Sequence, residues 1–470
     1  MLKFARSYGV FALSLAVLSA GIAMLLIEGP KAAAAIVALC GLLLGIVLRP
    51  QRLSVSSLTK ESAAEPLATI PRAALPDFPW DVLLNRPPSR VDLAVVQPYV
   101  TDNVVLVTGA GGSIGSEICR QAATLQPKLL VLLGHGENSL FAIQQELNEH
   151  GFSRTKIVLA DVGDIQAVRN VFARTQPYIV LHAAAHKHVP ILEENVCEAV
   201  RNNVFGTHNV ALAAAAAGTS RVVLLSTDKA VNPTSVMGAT KRTCELICQS
   251  FAHRTPTEFV SVRFGNVLGS RGSVLPLFIR QVRNGGPVTI THRDMERFFM
   301  TIPEAVSLVL EAMVMGSDGQ VFVLDMGKPL RILDVARRVI ELHGLVPYRD
   351  VDIVETGMRP GERLHEELLT KMEGMTQTTH ERLWIAQQER IEYDRLATAI
   401  TDLERAVRVS DAAAVISLLQ GLVPSFTPGG HLRVAEQPES SEEVTVIHDV
   451  TSTATSNGSA PHYTPAHVSA

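Results

Sequence analysis

Short runs of β-branched and aliphatic residues recur along the middle of the chain and alternate with longer helical patterns. The stretches Ser116–Leu125 and Asn209–Ala217 are two of the predicted helices. Six runs predict strands: Val104–Val107, Leu129–Leu133, Ile157–Leu159, Ile179–Leu181, Val222–Leu225 and Val260–Val262. Such alternation is typical of an α/β fold with a Rossmann-like, doubly wound parallel sheet. After about Gly272, helices mix with irregular segments, which predicts a smaller C-terminal lobe that would hold a substrate.

The first fifty residues have a different pattern, with two long runs that carry no charge. Tyr8–Ile27 is long enough to cross the hydrocarbon core of a bilayer, and Ala32–Leu48 is a second, shorter run. Together they predict a transmembrane helical hairpin. Basic residues flank the hairpin on both sides: Lys3, Arg6, Arg49 and Arg52. The positive-inside rule then predicts a multi-pass protein of the inner (cytoplasmic) membrane with its globular part in the cytoplasm. A cleaved signal peptide, the competing interpretation, leaves the second run unexplained.

The composition divides the chain into five segments. Residues 1–52 are the hairpin, and 53–100 form a linker rich in Pro, Ala and Ser. We predict a Rossmann domain over 101–272, and a second lobe with C-terminal helices over 273–430. The tail, 431–470, is rich in Ser, Thr and Glu and almost lacks large apolar residues, so we expect it to be disordered.

Composition and charge exclude several classes of protein. Of the 470 residues, 47% are apolar, which is ample for a large core and excludes disorder of the whole chain. A formal net charge of −4 is not typical of a nucleic-acid-binding protein, and we predict no such partner. Five cysteines are too few for a disulfide framework, and Cys244 and Cys248 have no second pair to complete a metal site. We interpret all five as packing thiols in a reducing compartment and predict no metal.

A glycine-rich turn follows the first predicted strand and opens a helix. Its glycines have the G-x-x-G-x-x-G spacing of short-chain dehydrogenases. Glycine permits the tight turn and lets backbone N–H groups approach a pyrophosphate at the helix N-terminus. The turn therefore predicts a binding site for NAD or NADP that is formed by Gly109, Gly112, Ser113, Ile114 and Gly115.

Two further segments resemble parts of the same cofactor site. Asp161 and Val162, after the third strand, resemble the pair that contacts the adenine, and Ala183 and Ala184, after the fourth, resemble the stretch that lies along the cofactor. The second strand ends near Gly134 without the acidic residue that normally holds the ribose hydroxyls, and no arginine replaces it. The choice between NAD and NADP therefore stays open.

The segment after the fifth strand carries the candidate catalytic residues. Short-chain dehydrogenases have a catalytic Ser or Thr here, and extended members that dehydrate nucleotide sugars have Thr-Asp-Glu. This chain has Thr227, Asp228 and Lys229. In the Tyr-x-x-x-Lys motif that follows, Lys241 is in place, but Met237 replaces the tyrosine. A thioether cannot accept a proton, so Met237 cannot deprotonate a hydroxyl group.

With these motifs, the chain resembles the membrane-anchored nucleoside-diphosphate-sugar 4,6-dehydratases of the polysaccharide biosynthesis family, in the extended short-chain dehydrogenase/reductase superfamily. The resemblance runs from about Asp81 to Pro428. Its specific stretches are Thr108–Gln121, His182–Glu193, Ser226–Glu245, Arg263–Leu277 and Thr356–Leu368. It is strongest for members that act on UDP-N-acetylglucosamine and retain configuration at C5, in which Thr-Asp-Lys with Met in the tyrosine position is usual.

The resemblance implies a redox-neutral reaction. Hydride leaves sugar C4 for a tightly held cofactor, the ketone acidifies the C5 proton, water leaves from C6, and hydride returns to C6. It implies Asp228 as the acid for the C6 hydroxyl, Lys229 as the C5 base, Thr227 at the C4 oxygen and Lys241 at the nicotinamide ribose. Lys229 then needs a lowered pKa, which we expect from burial, Lys241 and the cationic nicotinamide, with Asp228 acting against it. The base for the C4 hydroxyl stays open among Asp228, Lys229 and a water.

Two later segments imply contacts with a UDP-sugar substrate. Asn266 can donate to a phosphate, and Arg271 can pair with it through two hydrogen bonds. Arg359 and Glu362 lie in a late motif in which the arginine clamps the pyrophosphate or ribose. The spacing of His186-Lys187-His188 suits neither a helical pair of metal ligands nor a triad, so we interpret this segment as a loop that lines the sugar site.

Two other functions stay as hypotheses. An ordinary nucleotide-sugar C4 epimerase needs the tyrosine that Met237 replaces, and it does not need Asp228 and Lys229. A non-catalytic membrane scaffold that senses NAD(P) or a UDP-sugar fits the loss of the tyrosine, but not the retained Thr-Asp-Lys and Lys241. Relatives in this family self-associate, so the resemblance also implies a homo-oligomer.

Overall fold

The computed structural model describes residues 93–252, 254–368, 374–387 and 391–429, together with Leu84. The predicted hairpin, most of the linker and the predicted disordered tail lie outside the described residues. Within the described ranges, no helix is both long and apolar enough to span a bilayer. The membrane hairpin therefore stays a prediction.

Nine strands of the described residues form one sheet in the order β14-β15-β11-β6-β5-β4-β1-β2-β3. The strands are β1 (Val104–Thr108), β2 (Leu129–Gly134), β3 (Thr155–Leu159), β4 (Ile179–His182), β5 (Arg221–Leu225), β6 (Glu258–Arg263), β7 (Asn266–Val267), β8 (Val288–Ile290), β9 (Glu296–Arg297), β10 (Phe299–Met300), β11 (Val321–Leu324), β12 (Leu330–Arg331), β13 (Ile353–Glu355), β14 (Met375–Gln377) and β15 (Leu383–Ala386). Strands β1 to β6 and β11 are parallel, whereas β15 and β14 add to this sheet antiparallel.

Helices connect these strands and cover both faces of the sheet. They are α1 (Gln97–Val100), α2 (Ser113–Thr124), α3 (Glu137–Glu149), α4 (Ile165–Thr175), α5 (Val189–Glu194), α6 (Val196–Ala199), a π-helix (Val200–Phe205), α7 (Gly206–Ala217), α8 (Val236–Phe251), α9 (Val274–Arg283), α10 (Ile302–Met315), α11 (Ile332–Leu342), α12 (Tyr393–Arg408) and α13 (Ala412–Leu422). Short 3-10 turns lie at Leu93–Val95 and Asp228–Ala230.

Side chains of the central strands alternate between two apolar cores. Leu106 of β1 packs in a core with α4, α7, α8, α12 and α13. Its neighbours Val105 and Val107 pack on the opposite face with α2, α3 and α10. Cys244 and Cys248 are buried in the first core as free thiols. Because successive strand residues point to opposite faces, this pattern shows a sheet covered on both sides, and the predicted doubly wound α/β fold is confirmed.

The six predicted strands are all present, with bounds that differ by at most two residues from those predicted. The sheet nevertheless crosses the boundary that we predicted at residue 272. Strand β11 pairs with β6, and β15 and β14 extend the same sheet. Helix α10 packs against β5, β6 and β11, so this late part of the chain belongs to the same domain as the first strands.

A third apolar core lies among α9, α11, β8 and β13, with Phe278 and Val335 among its buried residues. Strand β13 pairs parallel with β8, outside the main sheet. This core is the part of the predicted second lobe that packs apart from the main sheet. Two of its residues, Ile290 and Ile332, line a cavity that is described below.

Candidate functional site

The turn between β1 and α2 comes very close to the loop after β4. Gly109 has a φ of +64°, and a Cβ added there would lie 2.8 Å from the backbone nitrogen of Ala184. Glycine is therefore required by both conformation and space. Gly109, Gly111 and Gly112 line a cavity of about 250 Å³ at the N-terminus of α2, which we call the glycine cavity.

Small and uncharged residues form most of the remaining lining of the glycine cavity. They include Gly134, Gly136, Val162, Ala183 and Ala184. Helix N-termini bind anionic groups, and small side chains leave space for flat rings, so this lining fits a dinucleotide. Asp161 is not among the residues that line the cavity. Its carboxylate accepts a hydrogen bond from the Gly163 backbone nitrogen at 2.7 Å.

Ser113 and Arg271 meet beside the glycine-rich turn. The backbone nitrogen of Arg271 donates to Ser113 Oγ at 3.0 Å, and its guanidinium donates to the Gly111 carbonyl. Arg271 thus lines the glycine cavity and not the larger cavity described below, and its predicted contact with a substrate stays a prediction. Ile114 packs against the apolar core behind α2, and Gly115 is buried within this helix.

Thr227, Asp228 and Lys229 lie together just beyond the C-terminal end of β5. The backbone nitrogen of Asp228 donates to the Phe264 carbonyl at 3.1 Å, which ties this segment to the strand beside it. Thr227 Oγ1 donates to Asp228 Oδ1 at 2.8 Å, and Lys229 Nζ donates to the same oxygen at 2.9 Å. Asp228 is fully buried, and its Oδ2 has no hydrogen-bond partner among the described residues.

Helix α8 packs directly on this segment. A Cβ at Gly238 would overlap the carbonyl oxygen of Lys229, so no larger residue fits there. Met237 is buried in the apolar core and lines neither cavity. Lys241, one turn after Met237 on α8, is 5% exposed. Burial and the positive charge of Lys241 together lower the pKa of His182 to about 3. The predicted contact of Lys241 with a ribose stays a prediction.

Sequence reasoning missed two side chains that complete the cluster. Glu366 Oε1 lies 3.2 Å from Lys229 Nζ, and Arg297 Nε lies 3.5 Å from the same oxygen. The Glu366 side chain is 3% exposed, and its Oε2 finds no hydrogen-bond partner in the part of the chain that the structure describes. The neighbouring Glu367 carries the same charge, so the sequence gives no means to choose between the two.

The charges of this cluster act differently on its two carboxyl groups. Burial raises the pKa of Asp228; Lys229 opposes this, and Glu366 adds to it. Burial also acts on Glu366, but Lys229 and then Arg297 outweigh it and lower the pKa of Glu366. The pKa values of the two carboxyl groups are therefore shifted in opposite directions.

The expected lowering of the Lys229 pKa is wrong for this structure. Burial does act to lower the pKa of Lys229, but the negative charges of Asp228 and Glu366 outweigh it and hold the pKa above its ordinary value. The sequence showed only the first of these carboxylates. With both in place, the amine of Lys229 is a charged ammonium at neutral pH.

Lys229 and Glu366 line a larger cavity of about 520 Å³, which we call the basic cavity. Six cationic residues line it: Lys187, Lys229, Arg280, Arg297, Arg359 and Arg363. Among the described residues Arg280 has no ion-pair partner, and it lies in the last turn of α9. This excess of positive charge suits a ligand with two phosphate groups.

Two uncharged donors line the basic cavity without partners. Asn266 Nδ2 and Ser273 Oγ are buried and make no hydrogen bond to any described residue. Asn266 is one of the predicted substrate contacts, whereas Ser273 was not predicted. Arg359 and Glu362 also line the cavity, but here they bond to each other, with Nε 3.0 Å from Oε1. A ligand phosphate would have to compete with Glu362 for this guanidinium.

The loop of His186, Lys187 and His188 joins the two cavities. His186 lines the glycine cavity, and Lys187 and His188 line the basic cavity. Asn203 of the π-helix fixes this loop: its Oδ1 accepts from the His186 backbone nitrogen at 2.8 Å, and its Nδ2 donates to the His186 carbonyl at 3.1 Å. Within the described ranges, no group of three or more His, Cys, Asp or Glu residues could hold a metal ion.

A buried ion pair supports the strand that carries this site. Ser226 Oγ donates to Glu245 Oε1 at 2.6 Å, and Arg263 donates to both carboxylate oxygens of Glu245 at 2.8 Å. Burial acts to raise the pKa of Glu245, but Arg263 and Arg242 outweigh it and lower the pKa to about 2. Ser226 is therefore engaged in structure, and Thr227 is the hydroxyl left beside Asp228.

The motifs and the fold agree with a known family. Its model, described as polysaccharide biosynthesis protein, matches residues 105–388. The chain belongs to the polysaccharide biosynthesis protein family. CapD of Staphylococcus aureus, a capsular polysaccharide biosynthesis protein, is 52% identical over 305 residues, which are 64% of this chain and 51% of CapD. The chain thus spans about half of the length of this relative.

Two further similarities each cover more than half of the chain. A UDP-glucose 4-epimerase of Rickettsia typhi is 34% identical over 278 residues, which are 57% of this chain and 78% of the epimerase. Among solved structures, the X-ray structure of Pen from Bacillus thuringiensis is similar with 33% identity and a TM-score of 0.57, over 64% of this chain and 98% of Pen. The family model confirms the predicted polysaccharide biosynthesis family, and the 4,6-dehydratase activity and the membrane anchor stay predictions.

Proposed function

We propose that this protein is an NAD(P)-dependent nucleotide-sugar 4,6-dehydratase that converts UDP-N-acetylglucosamine to its 4-keto-6-deoxy derivative. The observation that carries the proposal is the Thr227-Asp228-Lys229 cluster at the wall of a basic cavity that adjoins the glycine cavity. Met237 is buried in the core, so a mechanism based on a tyrosine has no support here. The family membership suggests that the product enters polysaccharide or glycan biosynthesis.

A nicotinamide cofactor bound in the glycine cavity would accept hydride from sugar C4 and return it to C6. Backbone groups of the turn at Gly109–Gly112 would hold its diphosphate, and Val162, Ala183 and Ala184 would lie along it. No carboxylate of the described residues lines this cavity, so the site is proposed for either NAD or NADP.

The cluster can carry out the proton transfers of this reaction without a tyrosine. Asp228 would accept the proton of the C4 hydroxyl while Thr227 donates to the C4 oxygen. Lys229 is an ammonium in the resting site, so it would first have to lose a proton, and its neutral amine would then take the C5 proton that the ketone makes acidic. Asp228 would then give its proton to the C6 hydroxyl, which leaves as water, and Lys229 would return a proton to C5. Burial, which raises the pKa of Asp228, suits this residue for the acid step.

The basic cavity would hold the nucleotide diphosphate. Among the described residues Arg280 has no ion-pair partner, and the buried donors of Asn266 and Ser273 make no hydrogen bond. Buried donors of this kind are costly to leave unpaired, so a ligand that accepts from them gains affinity.

We also propose that residues 1–52 anchor the protein in the cytoplasmic membrane with the site in the cytoplasm, and that the protein forms a homo-oligomer.

The test uses the full-length chain, purified in a mild detergent and incubated with UDP-N-acetylglucosamine. We expect proton NMR to show a new C6 methyl doublet, without net accumulation of reduced cofactor, because hydride returns to the same sugar. The epimerase relative makes a second outcome specific: a changed configuration at C4 with C6 intact would identify an epimerase. An unchanged sugar despite tight nucleotide binding would identify a scaffold.

A further inference from the structure

Lys229 is held from two sides by segments that are far apart in the chain. Asp228, its neighbour, contacts Nζ at 2.9 Å, and Glu366, which lies much later in the sequence, contacts it at 3.2 Å. Neither contact lies at the surface, since the side chains of Asp228 and Glu366 are 0% and 3% exposed. One carboxylate is enough to balance the charge of one ammonium group, and Lys229 contacts two carboxyl groups, so the second requires an explanation.

Glu366 is itself held in place by a rigid arginine. Arg297 Nε lies 3.5 Å from Glu366 Oε1, and the same guanidinium donates to the carbonyls of Glu296 at 2.7 Å and Arg363 at 2.8 Å. The carboxylate therefore cannot turn away from Lys229 without losing both cations. Its Oε2 remains buried without a partner among the described residues, beside the basic cavity.

We propose that Glu366 is a positioning residue of the reaction site, which fixes Lys229 from the second lobe and sets the charge on its amine. The proposal deepens the proposed function and rests on it for the role of Lys229 as the C5 base. In this arrangement Glu366 keeps the resting site in an ion-paired form, and Lys229 becomes a neutral base when its Nζ passes a proton to Glu366 Oε1, 3.2 Å away. After Lys229 has returned the C5 proton to the sugar, Glu366 gives its proton back to the amine.

The charged groups that face this pair determine the sign of the effect. They are Asp228, Lys229, Arg297, Arg363 and Glu366 itself. Burial alone lowers the pKa of Lys229, and both carboxylates raise it. Removal of the Glu366 charge therefore lowers the pKa of Lys229, and the amine becomes neutral at a lower pH than in the wild type.

The test compares Glu366→Gln with Glu367→Gln in the full-length protein. Glu367 is the adjacent carboxylate; it is exposed, lines neither cavity and accepts a hydrogen bond from Asn232. The acetylation rate of Lys229 is measured by mass spectrometry from pH 6 to 11, with the exposed Lys128 in the same digest as an internal reference. Only the neutral amine reacts, so the pH midpoint of labelling reports the charge on Lys229.

For Glu366→Gln we expect the midpoint of Lys229 labelling to move to lower pH, with labelling several-fold faster at pH 8, and for Glu367→Gln we expect no change. Glu366→Asp keeps the charge at a longer distance and should give an intermediate midpoint, and it replaces the glutamine variant if that one does not fold. In the dehydration assay, kcat of Glu366→Gln should fall because a glutamine cannot accept the Lys229 proton, while the low-pH limb of kcat should move to lower pH and KM should change little.

The labelling does not depend on turnover, so the two proposals can fail separately. An unchanged midpoint in Glu366→Gln, or a rise in labelling that is equal at all pH values, would contradict the role of Glu366. A shifted midpoint in a protein that forms no C6 methyl product would retain that role and overturn the dehydratase.

Discussion

The glycine cavity and the basic cavity lie on either side of the same loop, but they are built in different ways. The first is lined largely by glycines and alanines, many of them at the ends of β1, β2 and β4. The second is formed by long charged side chains from separate segments, among them Lys229 after β5, Arg280 on α9, Arg297 on β9 and Glu366 in a late loop.

This difference determines how each cavity responds to a change in sequence. In the glycine cavity the shape of the backbone forms the site, so any added atom acts by steric overlap whatever its charge. In the basic cavity a ligand phosphate can replace a carboxylate as the partner of an arginine. A substitution that changes the charge therefore alters ligand binding even when the side-chain volume is kept. The first cavity is suited to a cofactor that stays bound, and the second to a charged substrate that must enter and leave.

The largest effect should come from Lys229→Met, which removes the amine and keeps most of the side-chain length. We expect exchange of the C5 proton with solvent and formation of the 6-deoxy product to fall by about 10²–10⁴-fold, the usual contribution of a positioned acid or base. Deuterium incorporation at C5, followed by NMR, measures the first of these directly. Cofactor binding should stay within about twofold of the wild type, because Lys229 does not line the glycine cavity.

Lys128→Met is the matched control for this substitution. Lys128 is exposed and lines neither cavity, so both rates should stay unchanged. If the C5 proton still exchanges at a near-normal rate in Lys229→Met, another group is the base. The basic cavity would then bind the substrate without supplying the C5 base from Lys229.

The same contrast explains what could be predicted from the sequence. The six strands and the turn at Gly109–Gly115 were predictable because their signals are local: hydrophobic period, strand–helix order and glycine spacing. Glu366 and Arg297 carry no such signal, since only the folded chain brings them to Lys229. For the same reason the direction of the Lys229 pKa shift was predicted wrongly, and the contact of Arg271 with the glycine-rich turn was not predicted.

The domain boundary shows a related limit of sequence reasoning. Strand β11 is a short apolar run in a region where helices dominate, and its pairing with β6 cannot be deduced from periodicity. Strands β14 and β15 then extend the sheet antiparallel, against the expectation of a wholly parallel order. Topology of this kind depends on which edge is free after β6, a property of the assembled sheet.

The next effect in size concerns the shape of the glycine cavity. In Gly109→Ala, the new Cβ would meet the backbone at Ala184, and the residue would also have to adopt a positive φ. We expect cofactor binding to weaken by about 30-fold, equivalent to about 2 kcal/mol, because the turn must shift to relieve the overlap. Isothermal titration with NAD and with NADP measures this loss.

Gly218→Ala separates the two causes. Gly218 has a similar φ of +67°, but a Cβ there meets no atom within 4 Å, and it lies at the end of α7. This control should lower the free energy of unfolding by about 1 kcal/mol and leave cofactor binding unchanged. Equal cofactor affinity in both variants would show that the approach to Ala184 does not form the site.

The smallest effect should come from the charge of one side chain in the basic cavity. Arg280→Gln keeps a polar side chain but removes a guanidinium that has no ion-pair partner among the described residues. We expect KM for UDP-N-acetylglucosamine to rise about tenfold with kcat within about twofold, since a contact with the diphosphate is the same in ground and transition states. Steady-state rates at low and high salt measure this change, and the difference from wild type should shrink as salt screens the charge.

Arg283→Gln tests whether position in the cavity, and not the charge of α9 as a whole, is responsible. Arg283 lies three residues further along the same helix and does not line the basic cavity, so its loss should leave KM nearly unchanged. If both variants raise KM equally, the substrate is attracted by the general field of the helix end. The basic cavity would then lack the specific contact that distinguishes it from the glycine cavity, in which single atoms determine binding.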